Sequence, residues 1–230
     1  MSDYIRRDFS GRKKILHLVR FEFKLLLKYS QAAIIIPVLV LFSLLMMRMG
    51  GEEEFFTMII IITAFILGVI FNRQFSLDDN EFILYQMIPV SFERIIAAKN
   101  TTLFVLAVIQ IALVVSVNAF VYEIERGYVI DSFLLGVFLS VLFLSTGNIL
   151  SLRALKRSSS YLSLLDNIIM VAVLLAALLI YAIMTRLFSV YVAVPVYLVL
   201  GGGYYLLIFS KTRKMFSRDR KGILERLCMQ

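Results

Sequence analysis

Side chains that could serve as nucleophile, base or metal ligand are few in this sequence and far apart. Of 230 residues one is histidine, His17, and one is cysteine, Cys228. A single cysteine cannot close an internal disulfide and has no company for a metal site. His17 has neither a second histidine nor a close carboxylate cluster beside it, so its place in a basic stripe is preferred to a catalytic or ligand role. The uncharged stretches contain serines but no His, Asp or Glu to activate one, which argues against an intramembrane enzyme. No G-x-x-x-x-G-K-[ST] loop is present to cradle phosphates. The chain is expected to have no catalytic residue, no metal ligand and no cofactor of its own.

The remaining polar candidates lie inside apolar runs: Gln110 and Asn118 in one, Ser145, Thr146 and Asn148 in the next. Such groups line a pathway or hydrogen-bond between helices, and the second use is preferred. Gly201, Gly202 and Gly203 suit close helix approach, and Pro37 and Pro195 suit kinks. Glu52, Glu53 and Glu54 could gather cations, although a solvated acidic turn is the simpler reading.

The elements that would position these groups follow from composition. With 60% of residues apolar and 17% charged, there is too little polar surface to cover a soluble domain of this size. Water is absent from a bilayer core ~30 Å thick, so the backbone must satisfy itself in helices of about 20 residues. Six uncharged runs have that character: 29–47, 55–71, 100–122, 132–152, 167–185 and 187–210. Tryptophan is absent, which leaves the interfacial aromatic role to tyrosines near the run ends, such as Tyr29, Tyr122, Tyr161, Tyr191 and Tyr204. The expected fold is all-α, a polytopic membrane protein with six transmembrane helices and both termini in the cytoplasm. Orientation rests on 21 of the 24 Lys and Arg falling in 1–28, 72–99, 153–166 and 211–230, on one side of the membrane. Arg48, Arg126 and Arg186 alone fall on the other. The net charge of +8 is therefore a topology signal, and nucleic-acid binding is not expected. The opening segment is too polar for the leading region of a signal peptide and is expected to be retained.

Two extramembrane pieces stand out. Lys13, His17, Arg20, Lys24 and Lys28 recur every three or four residues, with Ile15, Leu16, Val19, Phe23, Leu26 and Leu27 between them. That pattern predicts an amphipathic helix lying in the inner headgroup layer, lysines toward anionic lipid. The longer piece, 72–99, exceeds what a turn requires. Ser76, Asp78 and Asp79 can start a short helix and Pro89 limits it. A helix over about 79–87 would present Asp79 and Glu81 beside Phe82, Leu84 and Tyr85, a mixed surface suited to docking a cytoplasmic partner. The alternative is that these apolar residues rest on the bilayer. The chain thus divides into an arm with its interfacial helix (1–28), a six-span domain (29–210) carrying the loop 72–99, and a basic tail (211–230).

The loop resembles that after the second span in permease subunits of type-2 ABC exporters. The likeness lies in Asn72, in Phe75 to Asp79, in Ile88-Pro89-Val90-Ser91 and in Lys99-Asn100. The stretch from Thr146 to Ser151, with Gly147 and Asn148, is similar to the end of the fourth span in such permeases. Ala154-Leu155-Lys156 departs from the proline and basic residue that many relatives carry there. The resemblance implies a bacterial inner (cytoplasmic) membrane location and two permease copies around a substrate pathway. It also implies separate cytoplasmic subunits that bind ATP and Mg and dock on a coupling helix around Asp78, Asp79, Glu81, Phe82, Tyr85 and Pro89. An ATP-independent transporter and a non-transporting accessory subunit are the competing functions.

Overall fold

The computed structural model describes residues 18–24, 32–50, 53–71, 92–157, 164–187 and 190–227. All are helical except a short turn at 123–125, and no strand occurs among the described residues. After the helical stretch at 18–24 come α1 (Ala32–Gly50), α2 (Glu53–Phe71), α3 (Phe92–Tyr122), α4 (Arg126–Arg157), α5 (Leu164–Leu187) and α6 (Val190–Leu227). Each of the six overlaps one of the uncharged runs. Glu93–Tyr122, Arg126–Ser151 and Asp166–Ile183 are long and apolar enough to cross a membrane, while Pro37–Gly50 and Phe55–Val69 are shorter apolar helices.

Two boundaries differ from the sequence reading. Residues 92–99, assigned there to the loop, are the first two turns of α3, and most of the basic tail continues α6 as far as Leu227. In both cases the helix extends beyond its uncharged run into a stretch that contains charged residues. Water outside the bilayer does not forbid helix, and neither stretch holds a proline to stop it.

The described residues centre on α4, which packs against α2, α3, α5 and α6. Its apolar window is 61% buried, against 33% for α3 and 17% for α5. The cause is legible in the residue types. Helices in lipid gain little from apolar burial as such, so close approach at small residues decides which one sits inside. A Cβ on Gly136 would come within 2.8 Å of Ile60 on α2 and 2.9 Å of Ile111 on α3; one on Gly68 would come within 2.8 Å of Phe143 on α4. The two glycines therefore receive each other's helix, and Phe56, Ile59, Ile111, Leu139 and Phe143 fill the surrounding core.

Between α3 and α4 the chain turns in three residues. Glu123 adopts φ 51° and the Ile124 amide donates to the Ala119 carbonyl over 3.3 Å. This is the six-to-one bond of a Schellman cap, made with a glutamate where glycine is usual. The outward faces are apolar: Val38, Leu41 and Leu45 on α1, Val171, Leu175 and Leu179 on α5, and Leu198, Leu206 and Leu207 on α6 are all exposed. Contiguous apolar surface of this kind is rare on a soluble monomer and ordinary for helices in lipid.

Candidate functional site

The polar candidates within the runs lie in the helical core. Asn118 on α3 is fully buried, and its Nδ2 donates to Ser43 Oγ on α1 and to the Val114 carbonyl, each over 2.7 Å. Gln110 and Asn148 are also buried and partnered. Other bonds join helix to helix: Thr57 on α2 with Ser132 on α4 (3.1 Å), Thr146 on α4 with Tyr204 on α6 (3.0 Å), and Tyr122 to the Leu44 carbonyl (2.8 Å). Tyr122 and Tyr204, expected as interfacial anchors, thus turn their hydroxyls onto protein. In a medium without water a phenol near a run end gains as much from a neighbouring helix as from headgroups. Among the described residues, Gly201 alone of the glycine triplet meets a neighbour, with its Cβ position 3.4 Å from Phe138; none of them comes within 4 Å of the Gly202 or Gly203 Cβ position.

A polar platform forms at the end of the bundle where α3 begins. The stretch 18–24 lies against this end of α3, with Leu18 buried on Ile95 and Ala98. One turn on, Glu22 is also buried, and its carboxylate meets the Lys99 ammonium at 3.6 Å. Thr102 Oγ1 donates to the Val19 carbonyl at 3.4 Å. On the exposed side Arg213 of α6 meets Glu93 of α3 at 2.6 Å, and Asn100 Nδ2 donates to the Tyr205 hydroxyl at 3.1 Å. Three segments remote in sequence are therefore tied together at the point where the chain leaves the 72–91 connection for α3.

Arg20 and Lys24 of the predicted basic stripe are exposed, away from the face that buries Leu18 and Glu22. Lys13, His17 and Lys28 lie outside the described residues. So do Asp78, Asp79, Glu81, Phe82, Tyr85 and Pro89, and with them the expected helix over 79–87. The Glu22–Lys99 pair was missed because Lys99 entered as a charge to be counted and as half of the Lys99-Asn100 likeness, never as the partner of an acid. A signal existed: Glu22 is the only acidic residue between Asp8 and Glu52. An acid within a basic amphipathic stretch asks for a cationic partner in the fold.

Above the platform a half-open cleft of about 340 Å³ runs between α3, α4 and α6. Its walls are apolar, with Phe104, Val137 and Val141 among them, and its polar residues are Asn100, Thr101, Tyr197 and Tyr205. Gln110, Asn118 and Asn148 do not line it. Tyr197 packs against Phe138 with ring centroids 4.9 Å apart. Among the described residues no three of His, Cys, Asp and Glu come together as metal ligands. The arrangement can hold an apolar molecule and transmit force between helices.

Helices of this length and apolarity, with an apolar core and apolar outward faces, make this a membrane protein of helical type. No protein-family model matches the chain, and no curated protein or solved structure is significantly similar to it.

Proposed function

We propose that this chain is the membrane-spanning permease subunit of an ATP-driven exporter of the type-2 ABC kind. It works with a second permease copy and with separate ATP-binding subunits that dock on the connection between α2 and α3. In this reading six helices span a bacterial inner membrane with both termini in the cytoplasm, and the stretch around 18–24 lies in the inner headgroup layer. The observation that supports it most directly is the platform at the start of α3. A load applied to the 72–91 connection reaches α3 through residues that Glu22, Lys99, Glu93 and Arg213 tie to the 18–24 stretch and to α6. A rigid junction of that kind is what a coupling loop requires, because force delivered to one helix end must move several helices together.

The test is co-purification from the native membrane in mild detergent. The tagged chain is expected to bring down a soluble ATP-binding subunit at equal copy number. Glu81→Lys combined with Tyr85→Ala should abolish that capture while leaving membrane insertion intact. Undiminished capture by the double variant removes the docking assignment; a homo-oligomer without any ATPase in several mild detergents removes the exporter reading.

A further inference from the structure

Gly202 and Gly203 are helical residues that bring α6 no packing. Both are exposed, and among the described residues nothing lies within 4 Å of a Cβ added at either. Gly201, Gly68 and Gly136 differ, since each of them lets a neighbouring side chain come close. A glycine inside a helix weakens it about fivefold relative to alanine. Two in succession, with no contact that alanine would disturb, make a soft point in α6, and sharp bends in helices concentrate at such small-residue pairs.

The two sides of that point are held differently. On the Val190 side α6 is packed on α4 through apolar groups: Tyr197 lies on Phe138 with ring centroids 4.9 Å apart, and the Gly201 Cβ position is 3.4 Å from Phe138 and 3.6 Å from Val141. On the Leu227 side come polar ties, Tyr204 to Thr146 at 3.0 Å, Tyr205 to Asn100 at 3.1 Å and Arg213 to Glu93 at 2.6 Å. The last is exposed, and so is weak and screened by salt. Tyr205 and Arg213 reach α3 where the cleft meets the platform, and Gly201 and Gly202 line the same cleft. A bend of about 10° at Gly203 carries Arg213, ~15 Å further along the helix, by ~2.5 Å, enough to part it from Glu93.

We propose that Gly202 and Gly203 are a hinge in α6, and that the Glu93–Arg213 pair with the Asn100–Tyr205 bond is the latch that holds the long end of α6 against α3. Latched, the cleft is bridged at the end where α3 begins. Unlatched, residues 204–227 swing away from α3 and the cleft opens there. The two states differ by a few ordinary polar bonds, so load on α3 or a change in ionic strength shifts the balance between them. The device is independent of whether an ATPase docks.

Thr212 reports the state of the latch. It precedes Arg213 and is fully buried, while Lys211 beside it is exposed. In the full chain carrying Cys228→Ser, in mild detergent, Thr212→Cys is expected to react slowly with a water-soluble maleimide and Lys211→Cys rapidly. Ala98→Cys, buried with Leu18 and Ile95 at the same end of the bundle, reports loosening away from α6.

Glu93→Gln keeps the shape of the side chain and removes its charge. It should raise the Thr212→Cys rate about threefold, the weight of one exposed ion pair, and high salt should do the same to the parent. Gly202→Ala with Gly203→Ala should lower the rate roughly twenty-five-fold, about fivefold for each alanine, with or without Glu93→Gln. The Ala98→Cys rate should stay constant throughout. An unchanged Thr212→Cys rate in the alanine pair would overturn the hinge, and an unchanged rate both in Glu93→Gln and in high salt would overturn the latch. Parallel changes at Ala98→Cys would place the effect in loosening of the whole bundle end and overturn both. Alanines that alter the oligomeric state by light scattering, with no change in labelling, would assign the glycines to a contact between copies, and the hinge would fall with that result.

Discussion

Cutting one side of the Glu22–Lys99 pair should cost more stability than removing both charges together. The two side chains retain 4% and 9% of their surface, respectively, and stand 3.6 Å apart. At an effective dielectric near 20, unit charges at that distance attract by about 4.6 kcal/mol. Much of this offsets their desolvation, so the pair contributes little net stability, yet a partner that loses it stays buried with only its remaining contacts, at ~3–5 kcal/mol for the loss of one side of a buried pair. Because each of the two has a further partner, the lower figure applies. Glu22→Gln and Lys99→Met are each expected to destabilise by about 3 kcal/mol, and Glu22→Met with Lys99→Met by under about 1 kcal/mol, a coupling of several kcal/mol. Unfolding by sodium dodecyl sulfate in mixed micelles, followed by circular dichroism, measures all four proteins. Single variants within about 0.5 kcal/mol of the parent, or a double variant equal to the sum of the singles, would refute the reasoning. In the first case the pair is solvated, and in the second the two groups do not interact.

Other substitutions probe other joints. Gly136→Leu should lower stability by roughly 3 kcal/mol or prevent folding, because its side chain must displace Ile60 and Ile111, whereas Gly203→Leu should be neutral or better in the same titration. The Asn118–Ser43 bond should show a coupling of about 0.6 kcal/mol in an alanine double-mutant cycle, the usual value between membrane helices. Glu123→Gly should raise stability by about 1 kcal/mol, since glycine adopts φ 51° without the Cβ conflict; an unchanged midpoint would mean that the turn is set by its neighbours. Single cysteines at Glu53 or Glu125, in a Cys228→Ser background, should react with an impermeant thiol reagent added outside, and reaction only from the cytoplasmic side would invert the proposed orientation.

The positions of the helices were legible because each is specified locally. Runs such as 55–71 and 167–185 carry no charge, and lipid leaves an uncharged backbone few conformations besides helix. The helix ends were less legible, because Glu93, Arg94 and Lys99 say only that the chain has left the hydrocarbon and not that it has stopped being helical. The arrangement of the helices was legible in principle. Gly136, Ser140, Ser145, Thr146, Gly147 and Ser151 make α4 the helix richest in small and hydroxylated residues, and it is the central one. The run of α5, dominated by Leu, Ile, Val and Ala, is the most exposed of the three long apolar helices. In a bilayer the greasier helix belongs outside, the reverse of the rule for water.

The site was harder to read, for a reason that Lys99 makes concrete. Charge counting uses every lysine near a membrane in the same way, as a weight on one side of a balance. A lysine that has found a carboxylate within the fold still weighs there, but its ammonium is committed to one direction and ties two elements together. Only pairing distinguishes the two uses, and pairing is tertiary: Glu22 and Lys99 are 77 positions apart in the sequence. The same holds for Asn100, whose amide reads as one more polar residue at a helix start. It becomes part of a junction only because Tyr205, brought from α6, accepts from its amide. For a membrane chain of this kind, polar residues at the ends of the uncharged runs should therefore be read in pairs across helices. An acid among bases or an amide beside a tyrosine-bearing helix end is the pattern from which such junctions are built.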